Sequence, residues 1–446
     1  MGKRLNRLTS PFAKTLGSNV FNNIIGAITG ILIARLLGPE GKGDLSAITT
    51  WPGIFAWIIS FSLALGNTYF LAQNLELKDR LYTNSILASL VLSIAGFAIL
   101  WFALPLLLTN YPADIVLTTQ ILSSSLLSGI LTDYLLGLLQ AKGYYGWIAS
   151  LRLFVFAGNL FIVILFALVS IESSIKLAIG YYIVTNLVTI LALAVTHVKL
   201  KPRFQPDFSL FKQTFSYSMK AHLGNFAGLF NARLDMWLVI VFLSSREVGW
   251  YSVAITISYV AMSVTTSLSY ILFPKVAEQN QVKGRETVLK TLATNTIAQL
   301  IICGLIGLAA PVAVPLVFGP EFSNTVILVE ILLVGILFQS GAIIIISGLR
   351  GLGYPMSGTI SEVFSLVSTV GLLAVFLPAL GYIGAAIGST LSYIVNFIVC
   401  WFLLEKRYPG SGKLVGQHIG EQSTQVGQLL KVQARTLRDK LSPGKL

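Results

Sequence analysis

"LLGPEGKGDLSA", residues 36–47, separates two apolar runs, and "FLSSREVGWYSV", residues 242–253, does the same at a constant offset of 206. That offset pairs Leu37 with Leu243, Gly43 with Gly249 and Ser46 with Ser252, and it sets Asn19 opposite Asn225. Further on, "LLQAKGYY" (138–145) matches "GLRGLGYP" (348–355) at an offset of 210. Breaks that recur in one order imply a chain built from the same unit twice.

The runs between these breaks are long enough to cross a bilayer, which takes about 20 apolar residues per helix. They cover 15–37, 45–71, 84–108, 114–140, 147–170, 176–198, 221–243, 248–273, 290–318, 324–349, 357–379 and 381–404. The longest internal connection, "HVKLKPRFQPDFSLFKQTFSYSMK" (197–220), leaves six spans on either side. An even repeat gives both halves the same topology, and transport sites of such proteins lie near the midplane where the halves meet. The expected architecture is an all-α integral membrane protein of twelve transmembrane helices. Two parallel-topology six-helix bundles, 1–198 and 221–405, are joined by a cytoplasmic linker at 199–220 and followed by a basic amphipathic tail at 406–446.

Composition agrees. Hydrophobic residues make up 55%, charged residues 11%, and the mean hydropathy is +0.79, whereas soluble domains carry about 25% charged residues. A transmembrane barrel would show short alternating segments, and these are absent. The net charge of +13 lies in loops and tails rather than on a folded face, so nucleic acid is not the expected partner. Cys303 and Cys400 both fall within apolar runs and read as small core residues. The basic start, "MGKRLNRLTSPFAK", leads into an asparagine-bearing run without a small-residue cleavage site, so it is read as a retained first span.

Lysine and arginine set the orientation. With both termini inside, only Arg35, Lys42, Lys176 and Arg246 face out and Arg233 lies within a span; the rest of the 31 face in. That is a strong positive-inside bias, and both termini are expected to be cytoplasmic.

"ARLLGPEGKGDLS" after the first span and "RLDMWLVIVFLSSREVGWYSVA" through the seventh and eighth resemble the polysaccharide transporter family. That family includes the lipid-linked oligosaccharide (O-antigen, Wzx-type) flippases, within the superfamily that also holds MATE exporters. The resemblance covers essentially the whole chain. It implies a MATE-like central cavity between two bundles, alternating between inward-open and outward-open states. It also implies a substrate of undecaprenyl-pyrophosphate-linked oligosaccharide, with the polysaccharide polymerase and chain-length machinery as partners. Lipid II flippases typically have fourteen spans, and twelve argues against that branch.

Catalytic signatures are missing. "GPEGKGD" lacks the spacing of a nucleotide-binding loop, no nucleophile elbow occurs in a strand-to-helix context, and His197, His222 and His418 form no metal motif. The chain reads as a transporter, not an enzyme. A cation-coupled small-molecule exporter, a membrane-embedded polymerase or ligase, and a non-transporting scaffold are the competing readings.

The polar residues inside spans are then the functional candidates. In the first span Thr15, Asn19, Asn22 and Asn23 share a face with Gly26 and Gly30, either as a helix-packing seam or as a wall for sugars. In the seventh, at about 100° per residue, His222, Phe226, Leu229 and Arg233 share one face. Asp235 lies on the other with Gly224, Gly228 and Asn231, placed to capture a hydroxyl or a cation from a neighbouring helix. Arg233 is either half of a structural pair with Asp133 or Glu330, or a cavity group for pyrophosphate, which guanidinium binds bidentately. Asn225 joins the substrate-binding candidates, as do Lys220, Arg152 and Arg350 near the cytoplasmic ends; simple snorkelling is the competing reading for these cations. Asp133, Asp235, Glu330 and Glu362 are candidates for coupling to a proton or sodium gradient. No cofactor or metal is expected. In the tail, 425–441 sets Val426, Leu429, Leu430, Leu437 and Leu441 opposite Lys431, Arg435 and Arg438, the pattern of a helix on anionic headgroups.

Overall fold

The computed structural model describes the backbone of residues 2–354, 356–421 and 424, and the side chains of residues 25–219, 222, 234–273, 275–354, 356–421 and 424. Among them the chain is almost wholly helical, with no strand. In hydrocarbon every backbone amide must be satisfied within its own segment, so long apolar runs have little choice but helix.

The helices are α1 (Gly2–Ile59), α2 (Leu63–Gln73), α3 (Lys78–Leu107), α4 (Ala113–Leu122), α5 (Ser125–Ala141) and α6 (Tyr145–Leu168). They continue as α7 (Ser174–Leu200), α8 (Phe208–Phe242), α9 (Ser245–Ala277), α10 (Gln281–Phe318), α11 (Thr325–Gly351) and α12 (Met356–Arg407). Two of these are double. α1 turns at Gly38, with φ 64°, and α12 at Gly381, with φ 57°; both angles lie in the left-handed region that glycine enters without strain. Counting each arm as a rod, and joining α4 to α5 and the second arm of α1 to α2, gives twelve rods among the described residues. They stand where hydropathy places the twelve spans. The protein is a multi-pass membrane protein.

Contacts group the chain into two compact units. The first is Met1–Leu229 with Arg233–Thr256 and Val314–Thr325; the second is Phe230–Ala232, Ile257–Ala313 and Val326–Leu446. The first is cored by leucines of α2, α3, α5 and α7, among them Leu71, Leu81, Leu135 and Leu138, and by Leu210 of α8. The second is cored by Leu272, Val288, Ile345, Leu349, Cys400 and Leu404.

The connection expected as a linker over 199–220 is non-helical only at 201–207. Asp207 starts α8 early by accepting the Leu210 amide at 2.9 Å, an N-cap bond. Leu210 is buried beneath it. The Leu210 amide, then the Arg80 guanidinium at 3.1 Å, hold the Asp207 carboxyl below the usual carboxylate range. The start of α3 clips down the rest: Asp79 accepts from the Arg203 amide, Thr83 from the Gln205 amide, and Asn84 exchanges two bonds with Asp207.

After α12, residues 411–421 are helical again. Glu405 accepts the Gly410 and Gly412 amides, and Val415 and Ile419 pack onto the core of the second unit. The amphipathic segment 425–441 lies outside the described residues.

Candidate functional site

The first unit holds a break within its second span. Between the second arm of α1 and α2 the path bends by 45°, and Phe61 and Ser62 adopt φ 48° and 53°. Neither is a glycine, and such a conformation persists only where the surroundings impose it. Two contacts do so. The Tyr134 hydroxyl donates to the Ser60 carbonyl at 2.8 Å, and Ser62 Oγ shares a 2.9 Å hydrogen bond with His222 Nδ1. The imidazole lies against Trp57 and Phe61, with ring centroids 5.1 and 6.0 Å away. Unwound backbone at membrane depth is tolerated only where protein buries it or a wet cavity borders it, and it is a recurrent mark of transport sites.

Toward the other end, the same unit contains a seam between the two sequence repeats. Gly43 lies so close to Ser245 that a Cβ added there would stand 1.7 Å from the Ser245 carbonyl oxygen. Gly249 lies likewise against Pro39, with 1.9 Å to its carbonyl oxygen. Pro39 and Ser245 are themselves equivalent at the 206 offset, so the contact is reciprocal. Around it Asn110 donates to the Val241 carbonyl at 3.1 Å, Trp250 to that of Glu321 at 2.9 Å, and Arg35 to those of Val317 and Leu316. Trp51 and Trp237 stack beneath, 5.8 Å apart. All of these bonds end on backbone carbonyls, so side chains tie the seam to main chain rather than to one another.

His222 is buried at 3% exposure and reaches the break through Ser62 rather than presenting its ring to an open wall. Asp235, 4% exposed, accepts from the Tyr251 hydroxyl at 3.1 Å, a hydroxyl on the neighbouring α9. Asp133 is exposed on α5 and lies within electrostatic reach of Arg152 on α6. Glu330 is exposed on α11 in the second unit, where Arg350 and Glu362 line one pocket. The side chains of Asn19, Asn22, Asn23, Asn225, Lys220 and Arg233 lie outside the described residues. Among the described residues no group of three or more histidine, cysteine, aspartate or glutamate side chains is arranged to hold a metal.

Sequence reasoning missed the break at Phe61–Ser62 and its supports Tyr134 and Ser62. It also missed Tyr251 as the partner of Asp235. The seam glycines did carry a signal, the repeat match itself, but nothing in that match says that the two copies touch.

A family model described as polysaccharide biosynthesis protein matches residues 12–280. Over 227 residues the chain is 24% identical to the probable low-salt glycan biosynthesis flippase Agl15 of Haloferax volcanii. The match covers 50% of this chain and 48% of that protein, about half the length of the curated relative. Among solved structures, the lipid II flippase MurJ in an inward closed conformation superposes with a TM-score of 0.75 at 14% identity, over 87% of this chain and 86% of that one. An inward-facing multidrug resistance MATE family transporter of the MOP superfamily gives 0.72 at 16% identity, over 88% and 96%. At such identities the likeness is one of fold, not of cargo.

Proposed function

The chain belongs to the polysaccharide biosynthesis protein family, and on that premise we propose that it is a flippase for a lipid-linked glycan. The cargo we infer is an undecaprenyl-pyrophosphate-linked oligosaccharide, moved from the inner to the outer leaflet of the bacterial cytoplasmic membrane and passed to polymerase and chain-length proteins. The observation that carries the reading is the broken second span. A scaffold has no need of unwound backbone at that depth, while a transporter uses it to offer polar groups to a passing ligand. The similarity to a glycan flippase and to the MurJ and MATE folds supports the same reading. So does the lack of a nucleotide-binding loop or nucleophile elbow in the sequence.

In this mechanism the two sequence halves, 1–198 and 221–405, rock about the polar interior. The seam at Gly43 and Gly249 closes the outer side while the inner side loads. Sugars and pyrophosphate cross inside, and the prenyl tail stays in the bilayer. A proton or sodium gradient biases the cycle through one of the acids Asp133, Asp235, Glu330 or Glu362.

The deciding experiment reconstitutes the purified chain in vesicles with a fluorescent lipid-linked oligosaccharide and follows its protection from an impermeant quencher. Movement between leaflets that depends on the protein supports the reading; an unchanged leaflet distribution sinks it. Topology is tested separately. Single cysteines at Lys176 and Arg246, both exposed, should react with impermeant reagent from outside intact cells, and cysteines in 201–207 should not. The reverse pattern would invert the orientation.

A further inference from the structure

A pocket of about 380 Å³ lies inside the second unit, bounded by Tyr270 and Phe273 of α9, Ser347 and Arg350 of α11, and Glu362 of α12. Small-ligand sites run from about 300 to 1,000 Å³, so this one suits a single sugar with its phosphates rather than a whole oligosaccharide. Arg350 stands in the last turn of α11, and its guanidinium lies along Gly358: a Cβ there would be 3.0 Å from Nη2 and 3.2 Å from Nε. Gly358 and Glu362 are one helical turn apart and share a face. A planar cation and a carboxylate therefore line the same pocket without forming an ion pair with each other, and glycine makes room for the cation. Among the described residues no hydrogen bond or ion pair engages the Arg350 side chain.

The α9 part of the lining is aromatic and open. Tyr270 is 68% exposed and Phe273 48%. Ser347 donates to the Ser269 carbonyl at 2.9 Å, which leaves its oxygen free to accept. Arginine binds phosphate oxygens in a two-pronged fashion. An ionised carboxylate only accepts, and sugar hydroxyls are donors that suit it. A flat aromatic face offers an apolar surface to the C–H side of a sugar ring. The pocket also has a definite level. It lies at the end of the unit that carries Lys275, Lys283 and Arg285, the inner side by charge distribution.

The repeat sharpens the point. At the 210 offset Glu362 corresponds to Arg152, so the first half carries a base where the second carries an acid. The second half's pocket is not a copy of a generic feature.

We propose that this pocket is the inner-leaflet loading subsite for the diphosphate and first sugar of the lipid-linked glycan. Arg350 holds the phosphates, Glu362 accepts hydroxyls of the sugar, and the α9 aromatics cover its C–H face. The proposal rests on the flippase reading above, and the test separates the two.

Full-length protein in nanodiscs is titrated with three probes: farnesyl diphosphate, farnesyl-diphosphate-linked N-acetylglucosamine, and inorganic pyrophosphate. Arg350→Ala should weaken both lipid probes by about tenfold or more, the loss of one charge-assisted contact, and Arg350→Lys should restore part of it. Gly358→Val, which displaces the guanidinium without changing any charge, should act like Arg350→Ala. Glu362→Gln should weaken only the sugar-bearing probe. Wild-type binding of the lipid probes that none of these variants alters would overturn the subsite and leave the flippase reading standing. Inorganic pyrophosphate binding as tightly as the lipid probes, with the same dependence on Arg350, would assign the pocket to a free anion and overturn the proposal. A wild-type protein that binds neither lipid probe would count against the flippase reading itself.

Discussion

Gly249→Ala and Gly43→Ala are each expected to leave the protein in the membrane and to slow movement of the proposed lipid-linked glycan by roughly 5–150-fold. The expectation follows from the distances at the seam, where a methyl group at either position would stand within 2 Å of a backbone carbonyl oxygen. Backbone cannot swing aside as a long side chain can, so the two repeats must part. Overpacking of this kind costs about 1–3 kcal/mol, which displaces a two-state equilibrium roughly 5–150-fold. In an alternating cycle the closed-outside state becomes the rare one, and loading from inside slows. Gly304→Ala is the control, since no atom lies within 4 Å of the added methyl, and it should transport normally. A cysteine at Leu45, 3% exposed in the closed seam, should become reactive to impermeant reagent in the two seam variants. Normal transport with Leu45 still shielded would remove the seam from the mechanism.

The second large effect is expected at Arg233. A fixed charge near the middle of a span costs roughly 2.5–3.5 kcal/mol or more to insert, a cost that an anionic ligand offsets. We therefore expect Arg233 to serve the pyrophosphate. Arg233→Ala should lower flipping by about 10–150-fold, the worth of a hydrogen bond to a charged group at about 1.5–3 kcal/mol, with abundance near normal. Arg233→Lys should recover part of the activity, because it keeps the charge and loses the planar fork. Disappearance of the protein instead of its activity would make Arg233 a structural ion. Suppression by a second change at Glu330 or Asp133 would then name its partner.

The spans were legible because hydrophobic length is a local property. Even the turn at Gly381, inside an otherwise continuous α12, falls between two runs that hydropathy separates. The early start of α8 was half legible: Asp207 is a good N-cap, but polar residues after it suggested a connector, and only the buried Leu210 shows why helix prevails. Asp235 was half legible: a carboxylate on the glycine-rich face of a helix reads as needing a hydroxyl or a cation, and only the structure brings the Tyr251 hydroxyl to it. The break at Phe61–Ser62 was illegible. Neither residue favours left-handed backbone, and the conformation is imposed from α5 and α8 by Tyr134 and His222. The approach of the Arg350 guanidinium to Gly358, in a pocket that Glu362 also lines, was hidden for a similar reason. It depends on Gly358 leaving a groove between helices, which no spacing along the chain encodes.

Pro39 meets Gly249 and Ser245 meets Gly43, so each half offers the other the same pair of surfaces that it receives. In oligomers this is the mark of an isologous interface, the kind that joins identical subunits about a twofold axis. A free-standing six-helix half bearing this ridge would be complementary to a second copy of itself. Because each half is expected to begin and end on the same membrane side, two such copies would dimerise in parallel with no covalent tether.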